Sequence, residues 1–265
     1  MPIAHPVDLH SISQASFSEL DYKVMGAAFA AHNELGRLFE ENHYAQHMEK
    51  CLLGLGHAVE REYKISVTHE DFKKDYYVDL LVDQSVPYEL KAVEELNPKH
   101  KAQALNYLYL CSLSHGKLIN FRKPSVESRF ISTSLTHQER LNYVIDDTEW
   151  SESPRLPIKH ILEELLNEWG TCLSLELYRD ALIHFCCMRE ILNNPLPIRT
   201  TSGHSGKMNL NRIDEDSFLY VTSTSKHLND HKKHLKKVLG MTGQQVAQWI
   251  NFDRRRISLS SIHAG

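Results

Sequence analysis

No stretch of this chain stays apolar long enough to cross a bilayer, which takes roughly 20 consecutive residues. Its first residues, from Met1 to Asp8, lack a basic region followed by an apolar segment, so no secretory signal is expected. Cysteine is scarce and odd in number: Cys51, Cys111, Cys172, Cys186 and Cys187 lie scattered, three of them in apolar helical patterns. Reduced thiols in a cytoplasmic protein fit that set better than a disulfide framework. Basic charge is not in excess either, since the net charge is −4 with the 17 histidines neutral. The whole chain therefore lacks the electrostatic footprint of a non-specific nucleic-acid binder. What is present is ordinary for a globular protein with a core: 42% hydrophobic and 24% charged residues over 265 positions. That length suits one large domain or two small ones.

Charge is nonetheless uneven. Lys226, Lys232, Lys233, Lys236, Lys237 and Arg254-Arg255-Arg256 face only Asp230 and Asp253 in the same stretch, enough for a local basic surface. In chain order, residues 1–18 read as a loosely ordered arm with a helix cap at Ser16 or Ser18. Helical spacing follows over Leu20–Leu35, closed by Gly36, and again over Phe39–Leu55. His57–Thr68 alternates like a strand. Asn97-Pro98 opens a helix that Gly116 is expected to close. Lys117–Phe121 and Val126–Ser132 read as strands, Thr133–Leu156 as a polar linker and Ile158–Cys187 as helical. Leu196–Lys207 reads as a loop, Asn209–Val221 as weakly strand-like and His227–Leu239 as a helix. Gln245–Phe252 and Arg256–Ile262 read as closing strands. This is a mixed α/β layout.

Its centre is Tyr76–Val93, two β-prone runs around the turn Asp83-Gln84-Ser85. With that loop, Val82 pairs with Val86, and counting back sets Asp79 opposite Glu89. Lys91 shares their face, while Val78, Leu80, Val82, Tyr88 and Leu90 form a core-facing set. Two opposed carboxylates repel unless a divalent cation lies between them, and a neighbouring lysine suits phosphate chemistry. The pattern is that of a metal-dependent phosphodiesterase.

The two halves resemble each other. Leu35-Gly36 and Tyr44 match Trp169-Gly170 and Tyr178 at equal spacing. His100-Lys101 and Ile119-Asn120-Phe121 likewise match His231-Lys232 and Ile250-Asn251-Phe252. Duplication is the expectation. Glu41 then corresponds to Leu175, Glu89 to Tyr220, Lys91 to Thr222, Gln103 to His234 and Tyr107 to Val238, so the second copy loses the charged set. The expected domains are residues 20–133 and 155–263.

Asp79, nine residues, then Glu89-Leu90-Lys91 resembles the signature of the PD-(D/E)xK nuclease superfamily, with Val78 in place of the usual preceding proline. Gln103 and Tyr107 are similar to the Q-x-x-x-Y motif of its RecB-like branch. Leu35–Tyr44 and Glu89–Tyr107 more closely resemble the GxxExxY proteins, a small bacterial family. Glu41 and Tyr44 fill two motif positions there, and Leu38 stands at the glycine. The resemblance spans about Asp21–Ser132. It implies a restriction-endonuclease-like core, a mixed sheet flanked by helices; the duplication adds a degenerate second lobe that clamps substrate or replaces a second subunit. The resemblance also implies Mg²⁺ or Mn²⁺ held by Asp79, Glu89, Glu41 and the Leu90 carbonyl. Catalysis by Asp79, Glu89, Lys91, Glu41, Gln103 and Tyr107 would cut DNA, with RNA as a second choice.

Plainer readings stand beside these. Asp79, Glu89 and Lys91 also suit the exposed face of an edge hairpin, and the scaffold could bind nucleic acid or protein without turnover. Glu94 and Glu95 suit a solvated strand end, and Tyr44 a core ring with a satisfied hydroxyl. His43/His47 and His227/His231/His234 have helical spacing that could hold zinc, but no H-E-x-x-H or paired C-x-x-C accompanies them. His184, Cys186 and Cys187 read as core. The basic run His231–Lys237 either tracks phosphates or is a solvated helix face.

Overall fold

The computed structural model describes residues 2–153, 155–188 and 194–265. Met1 of the expected arm and Pro154 of the expected linker lie outside the described residues. The chain divides into two compact units, Met1–Glu139 and Arg140–Gly265.

The first unit carries a six-stranded sheet in sequence order: β1 (Ile3–Ala4), β2 (Val59–His69), β3 (Phe72–Val82), β4 (Val86–Lys91), β5 (His115–Asn120) and β6 (Glu127–Ser132). Neighbours run antiparallel except β4 and β5, which are parallel. A parallel pair needs a crossover, and helix α3 (Pro98–Cys111) supplies it. Helices α1 (Gln14–Leu35) and α2 (Glu41–Gly54) cover the other face. Their Val24, Ala28, Tyr44, Met48 and Leu52 pack with Leu80, Val82, Tyr88, Leu90 and Phe121. This is a mixed α/β unit whose mixed sheet is flanked by helices, as the sequence pattern predicts.

The central hairpin has the expected register, with Val82 paired to Val86 and Leu80 to Tyr88. Asp83 and Gln84 take left-handed φ values of 50° and 53°. Asp83 is held there by its own side chain, which accepts from the Ala58 amide (2.9 Å) and pairs with His57 (2.8 Å). Asp tolerates that conformation because its short polar chain bonds locally.

Several expectations need correction. The N-terminal arm contributes β1, and α1 starts earlier than predicted, with Ser13 as its cap accepting from Ser16 N at 3.1 Å. Helix α3 ends at Ser112, not at Gly116: Ser112 holds the left-handed position at φ 54°. Gly116 lies in β5, where a Cβ would meet the Pro87 carbonyl oxygen at 2.9 Å and Leu108 Cδ2 at 3.2 Å. Gly116→Ala is therefore expected to cost about 1–3 kcal/mol, as overpacking does, measured by urea unfolding.

The second unit has a five-stranded sheet ordered β10-β11-β12-β13-β7. These are β7 (Val144–Glu149), β10 (Asn211–Arg212), β11 (Ser217–Thr222), β12 (Val246–Asp253) and β13 (Arg256–His263). Helices α5 (Ile158–Trp169) and α6 (Leu175–Cys186) precede most of these strands, and α7 (Leu228–Thr242) joins the parallel pair β11 and β12. The expected linker thus holds β7 and the short helix α4 (His137–Arg140), and the expected loop Leu196–Lys207 is a hairpin, β8 (Leu196–Thr200) with β9 (Gly203–Met208). Cys186 and Cys187 are buried core thiols, pushed up to about 12 by burial.

Within each unit the same small parts recur. Tyr44 donates to the Gly36 carbonyl at 2.8 Å and stacks on Phe121 at 4.2 Å. Tyr178 donates to the Gly170 carbonyl and stacks on Phe252 at 4.8 Å. Asn120 bonds both the amide and the carbonyl of Val93 (3.1 and 2.8 Å), and Asn251 does the same to Thr224 (3.0 and 2.9 Å).

Candidate active site

The residues singled out in the sequence gather at the C-terminal end of β4. Pairing between β3 and β4 stops at Leu80–Tyr88, so Asp79 lies just past the ladder. Its carboxylate takes the place of a strand partner and accepts the Leu90 amide at 2.7 Å. On the other side β2 pairs Arg61 with Leu80 and Tyr63 with Val78, which sets Glu62 against Asp79. Glu62 leaves that ladder with φ 50°, a strained conformation for a non-glycine residue.

Glu89 is 2% exposed on the face opposite Tyr88 and Leu90. One carboxylate oxygen, Oε1, accepts from Lys91 Nζ at 2.5 Å, and the other, Oε2, is buried with no hydrogen-bond partner among the described residues. Burial, then the charge of Asp79, pushes Glu89 up to about 8. Burial also raises Asp79 above the usual carboxylate range, against the pull of the Leu90 amide and Lys91. Burial by itself would lower Lys91, but Glu89, Asp79 and Glu41 outweigh it and hold the ammonium above its ordinary value. Three acids around one lysine is thus a negatively overdrawn site.

Glu41 comes from the first turn of α2, where the helix dipole favours a carboxylate. It accepts the Ala92 amide at 3.0 Å and stands 4.0 Å from Lys91 Nζ. From α3, Tyr107 is buried beside Glu89; burial and then that charge keep its phenol protonated, and it accepts from Gln103 Nε2 at 3.1 Å. Gln103 itself is exposed. Each carboxylate is turned onto a donor of the protein: Asp79 onto Leu90, Glu41 onto Ala92, Glu89 onto Lys91. Among the described residues, no three His, Cys, Asp or Glu side chains stand as a group that could hold a metal ion.

A cleft of about 470 Å³ opens over this end of the sheet, lined among others by Glu40, Glu41, Glu62, Asp79, Arg61 and Arg122. Glu62 and Arg122 carry no motif spacing, and sequence reasoning passed over both. Asn120, which fixes Val93 and also accepts the Arg122 amide (3.3 Å), lay in the repeated Ile-Asn-Phe triplet without being assigned a role.

Residues 18–131 match a family model, the PD-(D/E)XK nuclease superfamily. The matched segment is less than half of the chain and contains β2 to β5, α2, all of α1 but its first turn, and every residue of the candidate site. Its mixed sheet with flanking helices is consistent with the PD-(D/E)XK fold, whose nucleases generally use divalent metals such as Mg²⁺. Curated proteins and solved structures yield no significant match to the chain.

The plainer readings sort differently. Glu94 and Glu95 are exposed, and Tyr44 is a buried ring with its hydroxyl bonded. His47 pairs with Glu34 at 2.8 Å, and His231 stacks on Trp249. No helix among the described residues is long and apolar enough to cross a membrane.

Proposed function

We propose that this chain hydrolyses nucleic-acid phosphodiesters, DNA first and RNA second, in a reaction that depends on Mg²⁺ or Mn²⁺. The observation that carries it is Glu89 Oε2: a buried carboxylate oxygen without a partner among the described residues, beside two more acids, in a segment matching a nuclease superfamily. Hard divalent ions prefer oxygen donors, and Asp79, Glu89, Glu41 and the Leu90 carbonyl would offer that set once the three carboxylates turn from Leu90, Lys91 and Ala92 to the ion. When bound there, the ion lowers the pKa of a water molecule and neutralises charge growing on the phosphate. Lys91 keeps its proton because three carboxylates surround it, so it can stabilise the same developing charge. Tyr107, its phenol protonated, and Gln103 would contact the phosphate backbone from α3.

The same reading takes residues 155–263 as a degenerate duplicate of residues 20–133. Support comes from the paired tyrosine, glycine and asparagine contacts in the two units, and from the matching run of strands β3 to β6 and β10 to β13. Asn211 pairs with Leu219 as Leu80 pairs with Tyr88, so Leu210 stands where Asp79 stands. Leu210, Tyr220 and Val238 pack on one apolar cluster, at the places of Asp79, Glu89 and Tyr107. The first unit does the chemistry in this reading and the second holds substrate. Glu41 with Tyr44 aligns the chain with the GxxExxY branch.

A binding module without turnover is the competing reading, favoured by carboxylates already engaged with protein donors. End-labelled DNA separates the two. Cleavage is expected with Mn²⁺ and is expected to stop in EDTA. Metal-independent DNA binding with no products under any divalent ion would favour the module.

A further inference from the structure

The cleft beside Asp79 is lined by Glu40, Glu41, Glu62 and Asp79, four carboxylates that repel the polyanion a nuclease must admit. Two guanidinium groups share the lining. Arg61 is engaged: its Nε donates to Glu49 at 2.7 Å and its Nη1 to Asn42 at 3.1 Å. Arg122 differs. Its Nε donates to the Ala92 carbonyl at 3.1 Å, and among the described residues it makes no ion pair, although acids surround it.

The position of Arg122 is fixed from both sides. Asn120, fully buried, accepts the Arg122 amide and clamps Val93, while the Ala92 amide on the other side of that peptide holds Glu41. One residue, Ala92, therefore carries the acid on its N–H and the guanidinium on its C=O. A guanidinium bound through Nε presents its two Nη groups as a planar fork, the geometry that grips phosphate oxygens. At the corresponding place after Asn251-Phe252 the second unit has Asp253, exposed and of opposite sign.

We propose that Arg122 is the group that holds a backbone phosphate of the nucleic-acid strand in this cleft, next to the acid set. This rests on the phosphodiesterase reading above and adds the substrate contact it lacks. Arg122 binds and does not transfer protons, so its loss weakens ground-state and transition-state binding alike.

The test compares the wild-type chain with Arg122→Gln and Arg122→Lys, using a fluorescein-labelled single-stranded oligodeoxynucleotide. Anisotropy titrations with Ca²⁺ across a series of NaCl concentrations give affinity and salt slope, and Mn²⁺ assays give kcat and KM. Arg122→Gln is expected to weaken binding by about 10- to 100-fold. It should also flatten the salt slope by about 0.7, one phosphate contact on a single strand. KM rises while kcat holds. Arg122→Lys keeps the slope and recovers part of the affinity. A purely structural hold on Ala92 would shift the melting temperature and leave the slope untouched. Cleavage by wild type with an unchanged slope in Arg122→Gln overturns the Arg122 assignment alone. A flattened slope without cleavage by any form keeps Arg122 and overturns hydrolysis. No binding by wild type overturns both.

Discussion

Replacing Glu89 by glutamine is expected to lower metal-dependent cleavage by about 10³-fold or more while making the metal-free protein more stable above pH 7. The two effects share one cause. Glu89 is buried, repelled by Asp79, and half-satisfied by Lys91, so its carboxyl is pushed from 4.5 up to about 8. With the folded value above the unfolded one, the native state binds the extra proton between them. The stability this group contributes is present below about pH 4.5 and is lost as pH rises through about 8. A shift of that size sets an upper bound of roughly 5 kcal/mol. Melting in EDTA should therefore fall with rising pH for wild type, and fall much less for Glu89→Gln. The amide oxygen can still accept from Lys91, and Asp79 and Glu41 remain as its counter-charges. Mg²⁺ should raise the wild-type melting temperature at pH 8, by the equivalent of about 2.7 kcal/mol at a hundred times its Kd, and leave Glu89→Gln unmoved. Lys91→Ala separates the two effects: activity falls as far, but stability in EDTA at pH 8 falls where Glu89→Gln raises it, because the buried carboxyl loses its cation and must hold its proton instead. A Glu89→Gln protein that melts lower than wild type in EDTA at pH 8, or still cuts, contradicts the assignment.

How much of this was legible before folding depends on whether the signal is local. The register of the central hairpin follows from loop length and two-residue alternation, so pairing Val82 with Val86 came straight from Tyr76–Val93. Asn97-Pro98 marked the start of α3 because the cap and the missing N–H act within one turn. Where tertiary contact decides, the sequence misleads. Gly116 looked like a helix stop, yet it is glycine because Pro87 crowds it, and Ser112 makes the stop. The strand β7 carries Asp146, Asp147 and Glu149 at a sheet edge, and β9 is exposed nearly throughout, so neither shows an apolar alternation. Asp79 and Glu89 were visible through their spacing to Lys91, and Glu41 through the motif it shares with Tyr44. Glu62 and Arg122 were not, because β2 pairing and the Asn120 clamp bring them to the cleft from elements with no spacing rule to Asp79.

Those clamps supply the second large effect. Asn120→Ala is expected to cost about 2–4 kcal/mol and to slow cleavage by about 100-fold, whereas Asn251→Ala should cost as much stability and spare kcat. Both side chains are buried and each bonds a strand-end peptide through its N–H and its C=O. Alanine leaves those backbone groups without partners, at about 1–3 kcal/mol for each group left unsatisfied. Around Asn120 the freed segment is Ala92–Val93, which positions Glu41 and Arg122, and a displacement of about 1 Å there is enough for a 100-fold loss. Around Asn251 the freed segment ends in Thr224, and Thr222, bonded to Asn251 Oδ1 at 2.8 Å, is the counterpart of Lys91 in the proposed duplication. No acid set depends on it. Urea unfolding followed by Mn²⁺ turnover, below both melting temperatures, measures each variant. Equal loss of kcat in the two would place the chemistry under the control of both units and remove the division of labour that the apolar Leu210, Tyr220 and Val238 suggest.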